Sequence, residues 1–366
     1  MIADKDISIV VQGPILKDSK YNITKEITKI VCYRVKELFP DCELILSTWA
    51  GESVDGIPYD KVIFNEDPQA TWFDYYNHNT LNNCNRLIVS TLAGIKSATR
   101  KYVFKLRSDL FIGSKNFLNY FDKYPDYNSE CKFVRSRIIA FSMWSIQGHK
   151  TSLFTMPKPF HISDWAYFGF KEDLLELYSV PLIHEPEFSQ WFLTRCKPFF
   201  DVAPNVLWKM PPEQHIITSF FKKFTTINLE HTADDSHGNM ELSAKLIMNN
   251  FIVLDQTQFS LISLKHFCFQ FTRQNHEWFI YHHTWLNNYL RFIDTPATFR
   301  HHLNKIGIRL RNFSVLSLYT ILRMINKKQY IDRHLVKLIK KWISKNNLNY
   351  LNSNQKNNEN KSRIDD

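Results

Sequence analysis

The sequence predicts an α/β fold in which parallel strands are covered by helices. Short apolar runs rich in β-branched residues are typical of strands buried on both faces, and they occur at 7–11, 43–48, 60–64 and 102–106. Two segments with apolar residues at helical spacing, 23–38 and 82–97, lie between them. The order strand, helix, strand, strand, helix, strand favours a layered α/β fold.

Polar or conformationally special residues stand at the ends of three of these strands. They are Gln12, Gly13 and Pro14 after the first, Asp67 after the third, and Lys105, Arg107 and Asp109 in and after the fourth. Ligands of open parallel sheets bind outside the carboxyl ends of the strands, so we expect these residues to share a site. Arg86, at the start of the second helix, could reach a phosphate there, or it could be an ordinary solvated helix residue.

The 366 residues, 44% of them hydrophobic, are enough for one large domain with an appendage. We assign 1–290 to that domain, with 1–125 as a nucleotide-binding half and 126–290 as a half that shapes an acceptor pocket, and we assign 291–345 to a basic amphipathic helical region. After residue 130 the chain is rich in aromatic residues and broken by prolines, and it predicts short irregular pieces. A helix at 241–249 and a strand at 251–254 are expected to close the domain.

The C-terminal region carries the positive charge of the chain. Residues 291–350 contain 13 Lys and Arg against two acids, whereas the first 290 residues are nearly neutral. Between 329 and 345 the apolar residues form one helical stripe with lysines largely on the other face, which is typical of a basic amphipathic helix in a membrane interface. The alternative is a helix that packs this stripe on the protein body. The Asn- and Lys-rich tail, 346–366, is expected to be disordered.

The compartment follows from the cysteines and the N-terminus. The six cysteines show neither a CxxC pair nor zinc-type spacing, which favours a reducing environment. The N-terminus is acidic and lacks a signal peptide pattern, and no apolar stretch approaches the roughly 20 residues of a membrane span. We therefore expect a cytoplasmic protein that contacts a membrane through anionic lipid.

Several acidic residues could carry chemistry, and each also has an ordinary structural interpretation. Asp109 could hold Mg²⁺ or Mn²⁺ that bridges two phosphates, or form a strand-end ion pair with Arg107. Asp67 could bind a ribose, or be a turn acid before Pro68.

Three acidic residues of the aromatic half are candidates too. Asp164, inside an aromatic run, could be a functional carboxylate, or Ser163 or Asp164 could be a helix N-cap. Glu213 could act chemically or favour a helix dipole, and Glu187 is a further candidate.

Competing nucleotide and hydrolase signatures are missing from the sequence. It contains no GxGxxG, no GxxxxGK[ST] and no GxSxG. These absences weaken the hypotheses of a Rossmann dehydrogenase, a P-loop enzyme and an α/β-hydrolase.

Several short strings, taken in order, resemble the WavE lipopolysaccharide synthesis family over roughly residues 5–270. They are ISIVVQGPI from Ile7, LSTW from Leu46, NEDP from Asn65, Asn85-Arg86 with Ser90-Thr91, KLRSD from Lys105, SDW from Ser163 and PEQ from Pro212. The resemblance implies a GT-A-like fold, Rossmann-type, and a glycosyltransferase role in assembling lipopolysaccharide core, O-antigen or capsule from nucleotide sugars. It also implies a bacterial protein, so the expected membrane contact is peripheral, on the anionic lipid of the inner membrane.

The resemblance also implies roles for the residues. Most GT-A enzymes carry an Asp-x-Asp metal motif, whereas Arg107 stands here in place of the first acid. Asp109 is therefore the expected ligand of a divalent cation, held also through water and the donor phosphates; the alternative is that Lys105 and Arg107 partly take over neutralisation of the phosphate charge. We expect a hexosyl transfer that inverts the anomeric centre. As its catalytic base we rank Asp164 first, Glu213 second and Glu187 third. The expected donor is a UDP-sugar.

Two other functions are possible alternatives. One is a nucleic-acid-binding protein that uses the basic region, which the continuous apolar stripe of that region disfavours. The other is a non-catalytic scaffold of polysaccharide synthesis.

Overall fold

A computed structural model of the chain describes residues 2–18, 25–75, 78–147, 157–195, 207–265, 279–293 and 306. The predicted basic helix, the rest of the 291–345 region beyond 291–293 and 306, and the 346–366 tail lie outside these residues. Among the residues that are described, no helix combines the length and apolar character needed to cross a membrane.

Eleven strands and seven α-helices organise the described residues. The strands are β1 (Ile7–Gln12), β2 (Glu43–Trp49), β3 (Lys61–Asn65), β4 (Thr71–Tyr75), β5 (His78–Asn82), β6 (Tyr102–Arg107), β7 (Leu110–Ile112), β8 (Ile138–Phe141), β9 (Ala166–Phe170), β10 (Phe251–Leu254) and β11 (Leu261–Ser263). The helices are α1 (Ile27–Leu38), α2 (Cys84–Ser97), α3 (Lys171–Tyr178), α4 (Pro212–Phe221), α5 (Asn239–Asn250), α6 (Gln256–Phe259) and α7 (His282–Phe292).

Seven strands form the central sheet in the order β10-β8-β9-β6-β1-β2-β3. The strands β1, β2, β3 and β6 are parallel, and β8 and β10 run in the same direction. Only β9 within this sheet is reversed, because it pairs antiparallel with both β6 and β8. The start of β9 therefore lies at the edge where the other six strands end.

Helices cover both faces of the sheet. On one face, Gly94 of α2 lies so close to β1 that an added Cβ would be 2.3 Å from Val10 Cγ1. On the other face, Phe39 after α1 packs against Phe104 of β6, with ring centroids 6.4 Å apart. An aromatic core continues there through Phe117, which is 4.8 Å from Phe104 and 4.9 Å from Phe259 between centroids. The predicted α/β fold is confirmed.

The aromatic half of the chain is more regular than the sequence suggested. The strands β8 and β9 complete the central sheet, and β8 is buried at every position. Strands buried on both faces have no polar alternation, so their pattern could not be separated from an irregular aromatic run. Two smaller antiparallel sheets, β4 with β5 and β7 with β11, flank the main one.

Candidate functional site

A cleft of about 930 Å³ lies at the edge of the sheet where the parallel strands end. Of the residues proposed from the sequence, those that line it are Gln12, Gly13, Pro14, Asp67, Arg86, Arg107, Asp109, Asp164 and Glu213. Ligand pockets in proteins commonly range from about 300 to 1,000 Å³. The cleft is therefore large enough for a substantial ligand.

The loop after β1 is clamped to the end of β6. Gly13 N–H donates to the Ser47 carbonyl at 3.0 Å, and Ser108 N–H donates to the Gln12 carbonyl at 2.9 Å. The Ser108 hydroxyl donates to the Pro14 carbonyl at 2.8 Å. Gly13 has φ of +115°, and a Cβ there would lie 3.2 Å from Ser108 Oγ. A glycine is required at this turn, and it keeps the backbone open toward the cleft.

Asp67 and Arg86 form a two-pronged ion pair at the β3 end of the cleft. Arg86 Nε donates to Asp67 Oδ1 at 2.7 Å, and a terminal guanidinium nitrogen of Arg86 donates to Oδ2. These hydrogen bonds lower the pKa of Asp67. Asp67 also accepts the Gln69 N–H at 2.9 Å, as a turn acid does. The structural interpretation of Asp67 is thus correct, and the carboxylate still borders the cleft.

Arg107 and Asp109 form the ion pair that was the structural alternative to a metal site. Arg107 Nε lies 3.0 Å from Asp109 Oδ1, and the Ser263 hydroxyl donates to Asp109 Oδ2 at 2.6 Å. Antiparallel pairing of β11 with β7 brings Ser263 to this position. The Arg107 guanidinium lies over the Trp165 ring, 4.9 Å from its centroid. Burial alone would lower the pKa of Arg107, but the charges of Asp109 and Asp164 outweigh it and raise the pKa.

Lys105 is not in the cleft, contrary to the prediction. It shares a face of β6 with Arg107, but it lies two residues deeper, where α3 covers the strand. Its side chain is fully buried; Nζ donates to the Asp164 backbone carbonyl and lies 5.9 Å from the Tyr178 ring centroid. Burial lowers the pKa of Lys105 to about 8. Lys105 therefore contacts the backbone of Asp164 and not the cleft.

Asp164 reaches the cleft because β9 is reversed. It precedes β9 by two residues, and Arg107 N–H donates to the next carbonyl, that of Trp165, at 3.3 Å. The helix N-cap interpretation is wrong, since a strand follows. Asp164 is only 7% exposed and lines the cleft.

Glu213 enters from the first turn of α4. The buried Gln214 side chain holds this turn, donating to the carbonyls of Pro159 at 2.7 Å and Thr232 at 3.0 Å. Glu213 is thus a first-turn acid, as the structural interpretation expected, but it also lines the cleft. Burial and then the negative charge of Asp164 raise its pKa to about 8. Near neutral pH its carboxyl group is largely protonated.

Glu187 lies outside the cleft. Its side chain is 65% exposed, and its Oε2 lies 2.8 Å from His184 Nδ1. An exposed acid paired with its i−3 neighbour has no environment that would tune it for proton transfer. The structure therefore does not bring Glu187 together with Asp164 and Glu213 in the cleft.

The cleft also includes residues that were not proposed from the sequence. Among them are the tryptophans Trp49, Trp144, Trp165 and Trp208, with Lys158, His161 and Lys265. Burial and then the charge of Lys158 lower the pKa of His161 to about 3, so this imidazole is neutral. Trp49 and Trp165 do fall within strings noted above; Lys158 and Lys265 are brought in only by the tertiary fold.

The side chains around Asp109 fit a divalent cation poorly. Both Asp109 oxygens already accept hydrogen bonds, and one of the donors is a guanidinium that would repel a cation. Mg²⁺ and Ca²⁺ prefer several oxygen ligands. Within the described ranges, no three His, Cys, Asp or Glu side chains are grouped closely enough to hold a metal. The expected Asp109 metal site therefore lacks a supporting donor set.

Solved structures with a related arrangement are distant. A 4-diphosphocytidyl-2C-methyl-D-erythritol synthase from Anaerococcus prevotii has 10% identity and a TM-score of 0.31, covering 66% of this chain and 97% of that one. A nucleoside-diphosphate-sugar pyrophosphorylase from Vibrio cholerae has 11% identity and a TM-score of 0.26, covering 54% and 85%. HddC from Yersinia pseudotuberculosis has 9% identity and a TM-score of 0.26, covering 46% and 78%.

Sequence comparison is more informative. No curated protein matches the chain. The family model described as WavE lipopolysaccharide synthesis matches residues 7–315, which include every strand of the central sheet and every residue of the cleft. The chain belongs to the WavE lipopolysaccharide synthesis family.

Proposed function

We propose that the protein is a glycosyltransferase that moves a sugar from a nucleotide-sugar donor, a UDP-sugar, to a lipopolysaccharide, O-antigen or capsule glycan. The observation that carries this proposal is the composition of one cleft, where the guanidinium of Arg107 and the carboxyl groups of Asp164 and Glu213 meet. Membership of a lipopolysaccharide synthesis family supports it.

The chemistry needs a carboxylate and a cationic group in the same cleft. The acceptor hydroxyl oxygen forms a bond to the anomeric carbon of the donor, and the bond from that carbon to the diphosphate oxygen breaks. Asp164 takes the hydroxyl proton, and positive charge stabilises the departing diphosphate. A single displacement of this kind inverts the anomeric centre. Glu213 ranks behind Asp164 as the base. Its pKa of about 8 keeps its carboxyl group mostly protonated at neutral pH, and a protonated carboxyl group cannot accept the hydroxyl proton.

The donor half of the cleft is formed by the strand ends. The open backbone at Gly13, the amide of Gln12 and the carboxylate of Asp67 offer hydrogen bonds for a base and a ribose. Gln12 is itself held in place, since its Oε1 accepts the Ser90 hydroxyl at 2.9 Å.

The tryptophans of the cleft suit a sugar acceptor. Sugar rings pack their apolar C–H faces on flat aromatic side chains, and Trp144 and Trp208 line the cleft. Trp208 Nε1 and His161 Nδ1 are buried and, among the residues described, have no hydrogen-bond partner. Such atoms are costly to leave unpaired, and hydroxyl groups of a bound glycan could satisfy them.

The test is a panel of UDP-, GDP- and CMP-sugars assayed for thermal stabilisation and for protein-dependent hydrolysis. We expect a UDP-sugar to raise the melting temperature and to be hydrolysed slowly without acceptor. The Asp164→Asn variant should keep the stabilisation and lose hydrolysis. If no nucleotide sugar stabilises the protein, the scaffold hypothesis replaces this proposal.

Membrane contact remains part of the proposal. The basic region beyond residue 293 would attach the enzyme to anionic lipid, near a lipid-linked acceptor. A divalent cation would, if present, add charge at the diphosphate, but the proposed steps do not depend on one.

A further inference from the structure

Contacts with Asp109 and Trp165 fix the orientation of the Arg107 guanidinium in the cleft. Its Nε donates a hydrogen bond to Asp109 Oδ1, and its central guanidinium carbon, Cζ, lies 4.9 Å from the Trp165 ring centroid. Neither terminal Nη nitrogen is hydrogen-bonded to any residue that the structure describes, and the side chain is 23% exposed. The N–H groups that point away from Asp109 are therefore available to a ligand.

An anchored guanidinium of this kind suits a phosphate. Arg presents planar N–H donors that match two oxygens of a phosphate group, and less entropy is lost when the fork is already fixed. Lys158 and Lys265 line the same cleft and add positive charge. Arg86 contributes less, because its guanidinium is committed to Asp67.

Asp109 has the position of a support rather than of a ligand. Its side chain is 2% exposed, with one oxygen on Arg107 and the other on Ser263. The backbone carbonyl of Asp109 also accepts the Leu264 N–H at 2.8 Å, which ties the residue to the segment that directly follows β11. Asp109 is thus built into the fold behind Arg107.

We propose that Arg107 binds the diphosphate of the donor directly and that Asp109 is a positioning residue that orients Arg107, in place of a carboxylate-held metal ion. This inference rests on the proposed function, because it identifies the group that binds the donor phosphates. It predicts that diphosphate binding needs no divalent cation.

The experiment measures the binding of UDP and of inorganic pyrophosphate to the full chain by calorimetry, in excess chelator and again with Mg²⁺ or Mn²⁺. We expect binding in chelator. Arg107→Gln should weaken it by about 10- to 100-fold, as for loss of hydrogen bonds to a charged group. Arg107→Lys, which keeps the charge but loses the fork, should fall between Arg107→Gln and the native chain. Arg135→Gln is the matched control, since Arg135 is exposed, pairs with Glu172 and does not line the cleft.

A double-mutant cycle separates positioning from a general structural effect. Asp109→Asn should weaken pyrophosphate binding in the native background and should add nothing further in the Arg107→Gln background, because its effect acts through Arg107. Thermal melting checks that each variant is folded. Additive losses would contradict the positioning role.

Two other results would overturn the inference, and they can be told apart. If chelator abolishes UDP binding, and Mn²⁺ binding measured by electron paramagnetic resonance is lost in Asp109→Asn but kept in Arg107→Gln, then Asp109 holds a metal and the glycosyltransferase proposal stands. If neither UDP nor pyrophosphate binds with or without metal, both proposals fail.

Discussion

Glu213 lies within the electrostatic influence of Asp164 inside the cleft, and burial together with that charge raises the pKa of Glu213 from 4.5 to about 8. The two carboxyl groups come from different elements, one before β9 and one in the first turn of α4. Because like charges in a buried site cannot both ionise cheaply, a proton remains on Glu213 at neutral pH.

The first prediction concerns stability and pH. Between pH 4.5 and about 8 the unfolded chain has lost the Glu213 proton while the folded protein keeps it, so this group's contribution to the free energy of unfolding falls as pH rises. Glu213→Gln removes the effect, and its stability relative to the native protein should increase across this window, by up to about 5 kcal/mol for a shift from 4.5 to about 8 at about 1.4 kcal/mol per pKa unit. Urea denaturation across the window measures it. Glu187→Gln, at an exposed site, should show no such trend.

The second prediction ranks the two carboxyl groups in catalysis. Asp164→Asn should lower the transfer rate by about 10²- to 10⁴-fold, the usual cost of losing a general base, with little change in donor affinity. Glu213→Gln should lower it less. Steady-state kinetics with a UDP-sugar would decide, and full activity in Asp164→Asn with collapse in Glu213→Gln would reverse the assignment.

A third prediction tests the packing of α2 on the sheet. Gly94→Ala places a Cβ 2.3 Å from Val10 Cγ1 and 3.2 Å from Ser47 Cβ, so overpacking should cost about 1–3 kcal/mol despite the better helix propensity of alanine. Combining it with Val10→Ala should cost less than the sum of the two changes, since the smaller side chain makes room. Thermal unfolding measures both, and Lys96→Ala on the exposed side of α2 is the control.

The ion pair at the end of β3 provides a fourth prediction. Asp67→Asn should weaken UDP binding by about tenfold if the carboxylate binds the ribose, whereas the stability loss should stay within about 1 kcal/mol because the pair is partly exposed. Calorimetry and melting curves separate the two effects. Unchanged UDP affinity would leave Asp67 with its turn and its ion pair alone.

The fifth prediction addresses the basic region. A chain truncated before Arg300 should leave the membrane fraction, because it loses most of the C-terminal Lys and Arg residues and the apolar stripe at 329–345. Fractionation of cells that express each form, followed by immunoblotting, measures this. Retention of the truncated form on membranes would contradict the lipid proposal.

Local patterns in the sequence determined the first half of the sheet and one wall of the cleft. Short β-branched runs indicate buried parallel strands. Residues that directly follow such strands lie together at the edge of the sheet where the strands end. Gln12, Asp67 and Asp109 could therefore be placed together before the structure was known. The sequence also showed that Arg107 stands where most GT-A enzymes have the first acid of an Asp-x-Asp motif.

Only the tertiary structure decided what those residues contact. The reversed direction of β9 brings Asp164 to the edge, and pairing of β11 with β7 brings Ser263 to Asp109, 154 positions away in the chain. Lys105 shares a face with Arg107, but a helix from a later segment covers it. Such contacts depend on strand direction and on packing between distant segments. Local periodicity indicates neither strand direction nor packing between distant segments. For that reason the sequence suggested Asp109 as a metal ligand, whereas its contacts in the fold lead us to propose that it positions Arg107.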